Sequence, residues 1–340
     1  MKKLLNTLYV TDEKEYLSLE GEAVVCRSEE KPTLKLPLAN IQNIVCFGYL
    51  GCSPALMGKC ADSGIPICFF TPNGRFLARV SGKAQGNVYT RTAQLKTFED
   101  NRLSLVRNTV AAKLSNTAFL LSRSLRDNAS LKRREEVSSL LTEVKNVAES
   151  VYDIEDIDVI RGMEGIIAKK YFELFGCLLL NKNPIFDMNG RIKYPPLDAV
   201  NAMLSFLYSI ATNDIASALE SVGLDSYIGF YHVLRSGRVS LACDLVEEVR
   251  AVIDRYVITI INLKIVDEKD FEKQVGGAVY LNDDGRKKVL TFWQEKKRET
   301  LKHPFLKEKT PYGILPFVQA NLLAKFVRGE TKEYPPFIQR

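Results

Sequence analysis

The sequence predicts an α+β fold, with a small β-strand-rich amino-terminal domain over residues 1–85 and a mostly α-helical domain over residues 86–340 that ends in a basic region. Three observations carry this. Short apolar runs separated by turn residues fill the first 80 or so positions, helical periodicity takes over after Gly82, and the composition suits a chain folded nearly throughout. With 340 residues, 46% hydrophobic and 26% charged, the chain is long enough for about two domains and a sizeable core.

In the first region EYLSLEGEAVVC reads as two short strands folded about Glu20-Gly21, TLKLPL alternates with period two, and NIVCFG is a compact apolar strand. A short helix is expected at SPALMGKCADSG. The segment IPICFFTPNGRFLARVSG is the clearest hairpin, with its turn at Pro72-Asn73-Gly74. Beyond Gly82 the periodicity predicts helices over 92–126, 132–149, 157–180, 198–221, 241–263 and 315–328. Between them NKNPIFDMNGRIKYPPLDAV, with its prolines and glycine, reads as a loop carrying Arg191 and Lys193.

Composition also excludes several classes of function. The seven cysteines form no C-x-x-C pair and several lie in apolar runs, so buried free thiols and a reducing cytoplasm are expected. The basic opening is interrupted by charges from Asp12 onward, and no run approaches the about 18 apolar residues of a membrane span, so neither export nor insertion is expected. From Arg286 onward 13 Lys+Arg face 5 Asp+Glu, a net +8 against +6 for the whole chain. This end is either a polyanion-binding surface or a solubilising exterior, as clusters such as KKR at 296–298 are common on solvated helices.

The chemistry-bearing residues gather in two segments. In GFYHVLRSGRVSLACDLVEEVR, His232 stands before a turn and Asp244 opens the next helix. At about 100° per residue, Leu245, Val249, Val252, Ile253, Tyr256 and Ile260 form one apolar stripe. Asp244, Glu247, Glu248 and Asp254 share the opposite face, with Arg250 beside them as a counter-ion. By periodicity alone that acidic face reads as solvated. In DVIRGMEGIIAKKYFELFGCLLL, Glu164 instead falls inside the stripe of Met163, Ile167, Tyr171, Leu174, Phe175 and Leu178. A carboxylate facing a core needs a partner, either a buried arginine or a bound cation. Gly162, Gly165 and Ala168 would let a backbone or ligand come close. One imidazole with two or three carboxylates is a mixed N/O set suited to Mg²⁺ or Mn²⁺ and unlike a structural zinc site. His303, in the basic end without acids around it, is left out.

RGMEGIIAKKYF around Glu164, YPPLDAVNAMLSFLY at 194–208, GLDSYIGFYHVLRSGRVSLACDLVEEVR at 223–250 and the strand-rich amino-terminal region together resemble the CRISPR-associated adaptation integrase family, in the family's order. The carboxy-terminal KHPFLKEK, VQANLLAKFVRGE and YPPF segments look like its I-C subtype. The resemblance implies a metal-dependent DNA endonuclease and integrase of antiviral defence. Such an enzyme inserts spacer DNA into a CRISPR array by attack of a 3′-hydroxyl on a phosphodiester, and the α-helical domain is the catalytic one. It implies Glu164, His232 and Glu247 as ligands of Mg²⁺ or Mn²⁺, with Asp244 as a supporting catalytic acid and Glu248 as a competing third ligand.

It further implies a cytoplasmic homodimer formed through the β-rich domain, and a heterohexamer-type assembly in which two such dimers flank a dimer of a small ferredoxin-like partner. The DNA substrates are spacer precursor and CRISPR repeat; Arg235, Arg238 and Arg250 flank the site as candidate phosphate contacts or as ordinary surface charge. Two other readings fit the same residues: a catalytically silent DNA-binding scaffold, and a general metal-dependent nuclease on branched DNA.

Overall fold

The computed structural model of the chain describes residues 6–28, 32–82 and 88–339. The amino-terminal region carries β1 (Thr7–Val10), β2 (Tyr16–Glu20), β3 (Ala23–Arg27), β4 (Leu34–Pro37), β5 (Asn43–Phe47), α1 (Pro54–Asp62), β6 (Ile67–Phe70) and β7 (Phe76–Val80). Strands β2, β3 and β4 form one antiparallel sheet. The other has the order β1-β5-β6-β7, parallel except for the terminal β6-β7 hairpin. The position 85/86 expected to divide the chain lies within 83–87, outside the described residues.

The apolar run NIVCF exists because β5 is covered on both faces. Ile44 and Cys46 face a core shared with Leu17, Val24, Leu56 and Ile67. Val45 and Phe47 face the helical region, where the Phe47 and Phe206 rings stack at 5.4 Å. At the β6-β7 turn Gly74 has φ +80 and lies so close to Phe206 that a Cβ would meet its ring at 2.5 Å, so only glycine fits that contact. The sheet is thereby seated on the helices rather than tethered beside them.

From Val88 the chain is mostly helical: α2 (Val88–Asp100), α3 (Arg102–Asp127), α4 (Arg134–Ser150), α5 (Ile157–Phe175), α6 (Ala199–Ser221) and α7 (Ser240–Asn262). The single helix expected over 92–126 is two, broken at Asn101, whose side chain donates back to the Thr97 carbonyl at 3.0 Å. Local signals start the others: Asp156 caps α5 through Asp158 N, and Asp198 caps α6 through Asn201 N at 2.7 Å. A hairpin of β8 (Phe271–Lys273) and β9 (Val279–Leu281) precedes α8 (Asp283–Arg298); β10 (Thr300–Lys302) pairs with β11 (Lys309–Pro311), and α9 (Leu315–Val327) follows.

Those small strands and α8 are absent from the expected elements, which pass from the helix over 241–263 to that over 315–328. The signal was nonetheless present: Asn282 caps Gly285 N, acids open the helix and Lys296, Lys297 and Arg298 close it, matching its dipole. The basic end is also less exterior than its composition implies. Arg286 is buried with its guanidinium on Asp283, Lys297 reaches Asp214 at 2.6 Å, and Lys288 reaches Asp270 at 2.7 Å. Five cysteines are buried and all seven are free thiols. Among the described residues no helix is long and apolar enough to cross a membrane.

Candidate metal centre

Helix α7 runs through the middle of the helical layer, against α3 and α6. That placement overturns the solvated acidic face: Asp244, Glu247, Glu248 and Asp254 are all buried, each 3% exposed or less. Periodicity reports where the apolar residues lie, but a helix packed on every side buries its polar face too. The four carboxylates tolerate burial because each meets a different set of partners.

Asp244 is saturated by the loop that leads into the helix. It accepts backbone N–H groups from Phe230 at 2.7 Å, Tyr231 at 3.1 Å and His232 at 2.8 Å, and stands 2.7 Å from His232 Nδ1. Gly229 makes this wrap possible, since a Cβ there would lie 2.7 Å from Asp244 Oδ2 and 2.8 Å from the Ser240 carbonyl carbon. With the carboxylate accepting at Nδ1, the imidazole presents Nε2 as its lone-pair nitrogen. Asp244 therefore orients His232 and has no oxygen free to act as a ligand or acid.

Glu247 and Glu164 come together across α7 and α5 on the ammonium of Lys113 from α3. Lys113 Nζ is ion-paired with Glu164 and lies 2.5 Å from Glu247 Oε2, an oxygen that is buried and accepts no well-formed hydrogen bond. Arg250 holds the other oxygen at 2.9 Å while its guanidinium lies 4.7 Å over the Tyr208 ring. Burial pushes the Glu247 carboxyl up, but Arg250 and Lys113 outweigh it and hold it down at about 2.

Glu248 points the other way. It accepts from Gln319 Nε2 at 2.8 Å, the Tyr334 hydroxyl at 2.7 Å and Phe337 N at 2.8 Å, donors of the carboxy-terminal segment. With no cation on it, burial pushes its carboxyl up to about 7 despite those three bonds. Asp254 accepts from the hydroxyls of Tyr171 and Tyr208, and burial raises it to about 6.

Glu164 does face inward, with its side chain 14% exposed, and its partner is the Lys113 ammonium rather than an arginine. Gly162 and Gly165 lie on the open side of α5, where an added Cβ would meet nothing within 4 Å, so no backbone approaches them. Arg250 is committed to Glu247 and Tyr208, Arg238 lies 3.4 Å from the Ser240 hydroxyl, and Arg235 is exposed on the turn. His303 is buried against Gln319 and accepts from Phe305 N and Leu306 N, a packing role. Sequence reasoning missed Lys113; its signal was a lone cation within the apolar stretch TVAAKLSNTAFLL. It also missed Arg161, which donates to the Tyr231 carbonyl at 3.1 Å and lies 5.5 Å over its ring.

Two carboxylates from different helices that share one cation have the oxygen-donor chemistry of a hard divalent ion. Among the described residues no group of three or more His, Cys, Asp or Glu side chains stands ready to hold a metal, and Lys113 stands between the two carboxylates. The residues fit such an ion at the position the ammonium takes.

Fold and centre together define an α+β protein in which carboxylates of α5 and α7 meet on a cation of α3. A family model described as CRISPR associated protein Cas1 matches residues 8–295, and the chain belongs to the Cas1 family. It is 42% identical over 343 residues to CRISPR-associated endonuclease Cas1 1 of Chlorobaculum tepidum, covering 100% of both chains. It is likewise 42% identical to CRISPR-associated endonuclease Cas1 2 of Rhodospirillum rubrum, covering 99% of each. Its fold is shared with a Cas1 protein from Thermotoga maritima at TM-score 0.81 and 20% identity, covering 97% of this chain and 99% of that one. It is shared as well with a casposase bound to integration product, at TM-score 0.82 and 20% identity, covering 97% and 93%.

Proposed function

We propose that the protein is a metal-dependent DNA endonuclease and integrase that inserts spacer DNA into a CRISPR array. The observation that supports this most is that Glu164 and Glu247, from different helices, meet on one cation in a chain of the Cas1 family whose His232 is oriented by Asp244. Mg²⁺ or Mn²⁺ held by Glu164, His232 and Glu247 would polarise the scissile phosphodiester and stabilise charge on its oxygens. Around that position the protein's own groups have distinct tasks. Asp244 fixes the imidazole, Arg250 keeps Glu247 ionised, and Arg235 on the adjoining turn meets backbone phosphate together with Arg238. Integration uses a DNA 3′-hydroxyl as nucleophile; cleavage uses water.

The proposed assembly is a cytoplasmic homodimer formed through the β-rich region of residues 1–85, with residues 86–340 as the catalytic domain. Two such dimers flank a dimer of the small ferredoxin-like adaptation protein, an arrangement that holds two DNA ends at once. A structure titled Cas6-RT-Cas1--Cas2 complex contains a chain of the same fold, at TM-score 0.80 and 21% identity.

The test is Mn²⁺- or Mg²⁺-dependent joining of a duplex 3′ end into a supercoiled, repeat-bearing plasmid with the small partner supplied. Joining is expected with wild type and not with Glu164→Ala or His232→Ala; wild-type joining by either variant removes the proposed site. DNA retention without strand transfer under any metal marks a scaffold. Cleavage without joining marks a general nuclease.

A further inference from the structure

We infer that Lys113 is an internal counter-cation of the metal centre: it holds Glu164 and Glu247 together in the metal-free protein and is displaced when the divalent ion binds, so that it sets the site's metal affinity. This inference rests on the proposed metal site. Its geometric basis is that one ammonium, its side chain 13% exposed, makes ion pairs with carboxylates from two different helices. Their oxygens would otherwise face each other in a buried setting, where like charges repel strongly and desolvation is uncompensated.

Charge balance says why a cation has to leave. Glu164, Glu247 and the Asp244 that holds His232 face Lys113 and Arg250, so a divalent ion added to this set leaves one excess positive charge, which departure of the Lys113 ammonium removes. Arg250 is held by its bond to Glu247 and by the Tyr208 ring. Lys113 alone bridges both carboxylates and so takes the position a metal between them would take, and its four methylenes let the ammonium reorient without moving α3. The outgoing ammonium and incoming metal thus compete for the same oxygens, and the ammonium keeps the acids at single-ion separation until the metal arrives.

The experiment is Mn²⁺ binding to the full chain, followed by the electron paramagnetic resonance signal of free Mn²⁺, with melting temperature measured in parallel. K113M is expected to bind Mn²⁺ at least about tenfold more tightly than wild type, through loss of the competing charge. Without metal it is expected to melt lower, with the gap closing at saturating Mn²⁺. K113Q, which keeps a hydrogen-bonding tip without the charge, is expected to tighten binding in the same sense and serves if K113M does not fold. Unchanged or weaker Mn²⁺ binding in the folded variants overturns the inference. E164Q and H232A separate the two readings: if both leave Mn²⁺ binding intact, or wild type binds none, the metal site itself is wrong. If they abolish binding while K113M and K113Q do not tighten it, only the role of Lys113 fails.

Discussion

Glu247 and Glu248 are consecutive, both buried and chemically identical, yet the fold shifts their carboxyls in opposite directions. Glu247 turns toward Arg250 and Lys113 and is held down at about 2; Glu248 turns toward a tyrosine, a glutamine amide and a backbone N–H and is pushed up to about 7. Burial acts on both in the same direction. What differs is whether the partners carry formal charge: neutral donors satisfy lone pairs without repaying the loss of hydration, and two cations do repay it. One residue step on a helix is about 100°, enough to send one acid to the candidate metal centre and its neighbour to the carboxy-terminal clasp.

The largest test of this contrast is catalytic. Glu247→Gln is expected to lower metal-dependent joining by more than about 100-fold, while Glu248→Gln, which resembles the protonated acid, stays within a few-fold of wild type. Comparable losses from both in the plasmid assay would end the distinction. Next is Asp244→Ala, which strands the buried N–H groups of Phe230, Tyr231 and His232. It is expected to cost at least about 3 kcal/mol in urea unfolding.

Of similar size is a pH dependence of opposite sign at the two acids. The Glu248 carboxyl is raised from 4.5 to about 7, so between those values the unfolded chain binds fewer protons and stability falls as pH rises. The loss is on the order of 3 kcal/mol, complete above pH 7, and is expected to vanish in Glu248→Gln when metal-free unfolding is compared at pH 4.5 and pH 7.5. Glu247, lowered from 4.5 to about 2, stabilises fully above pH 4.5 and loses that contribution as pH falls through 2. The advantage of wild type over Glu247→Gln is therefore expected to shrink on acidification, and an advantage that grows would reverse the assignment. The smallest effect is on DNA binding: Arg235→Ala with Arg238→Ala is expected to weaken it less than about tenfold at physiological salt. The same pair should reduce the slope of log affinity against log salt by about 1 to 2, as measured by anisotropy titration.

Much of this was legible in the chain. The β2-β3 pair, the Pro72-Asn73-Gly74 hairpin and the long helices follow from local signals, namely alternation, turn residues and caps. The inward-facing Glu164 followed from helical phase alone, because its stripe is uninterrupted on both sides. The acids of α7 misled for a related reason: their phase was read correctly, but a wet face was assumed where three other parts of the chain come to meet it.

The sequence by itself determined the α+β order of elements and the Cas1-family motifs, because these depend on spacing along one helix or turn, while the candidate ligands Glu164, His232 and Glu247 came from the family resemblance. Only the tertiary structure decided that Asp244 holds the histidine, that Glu248 belongs to the carboxy-terminal segment and that Lys113 sits between Glu164 and Glu247. Those outcomes turn on partners 12 to 134 positions apart, whose meeting is set by how α3, α5 and α7 pack and not by any local rule.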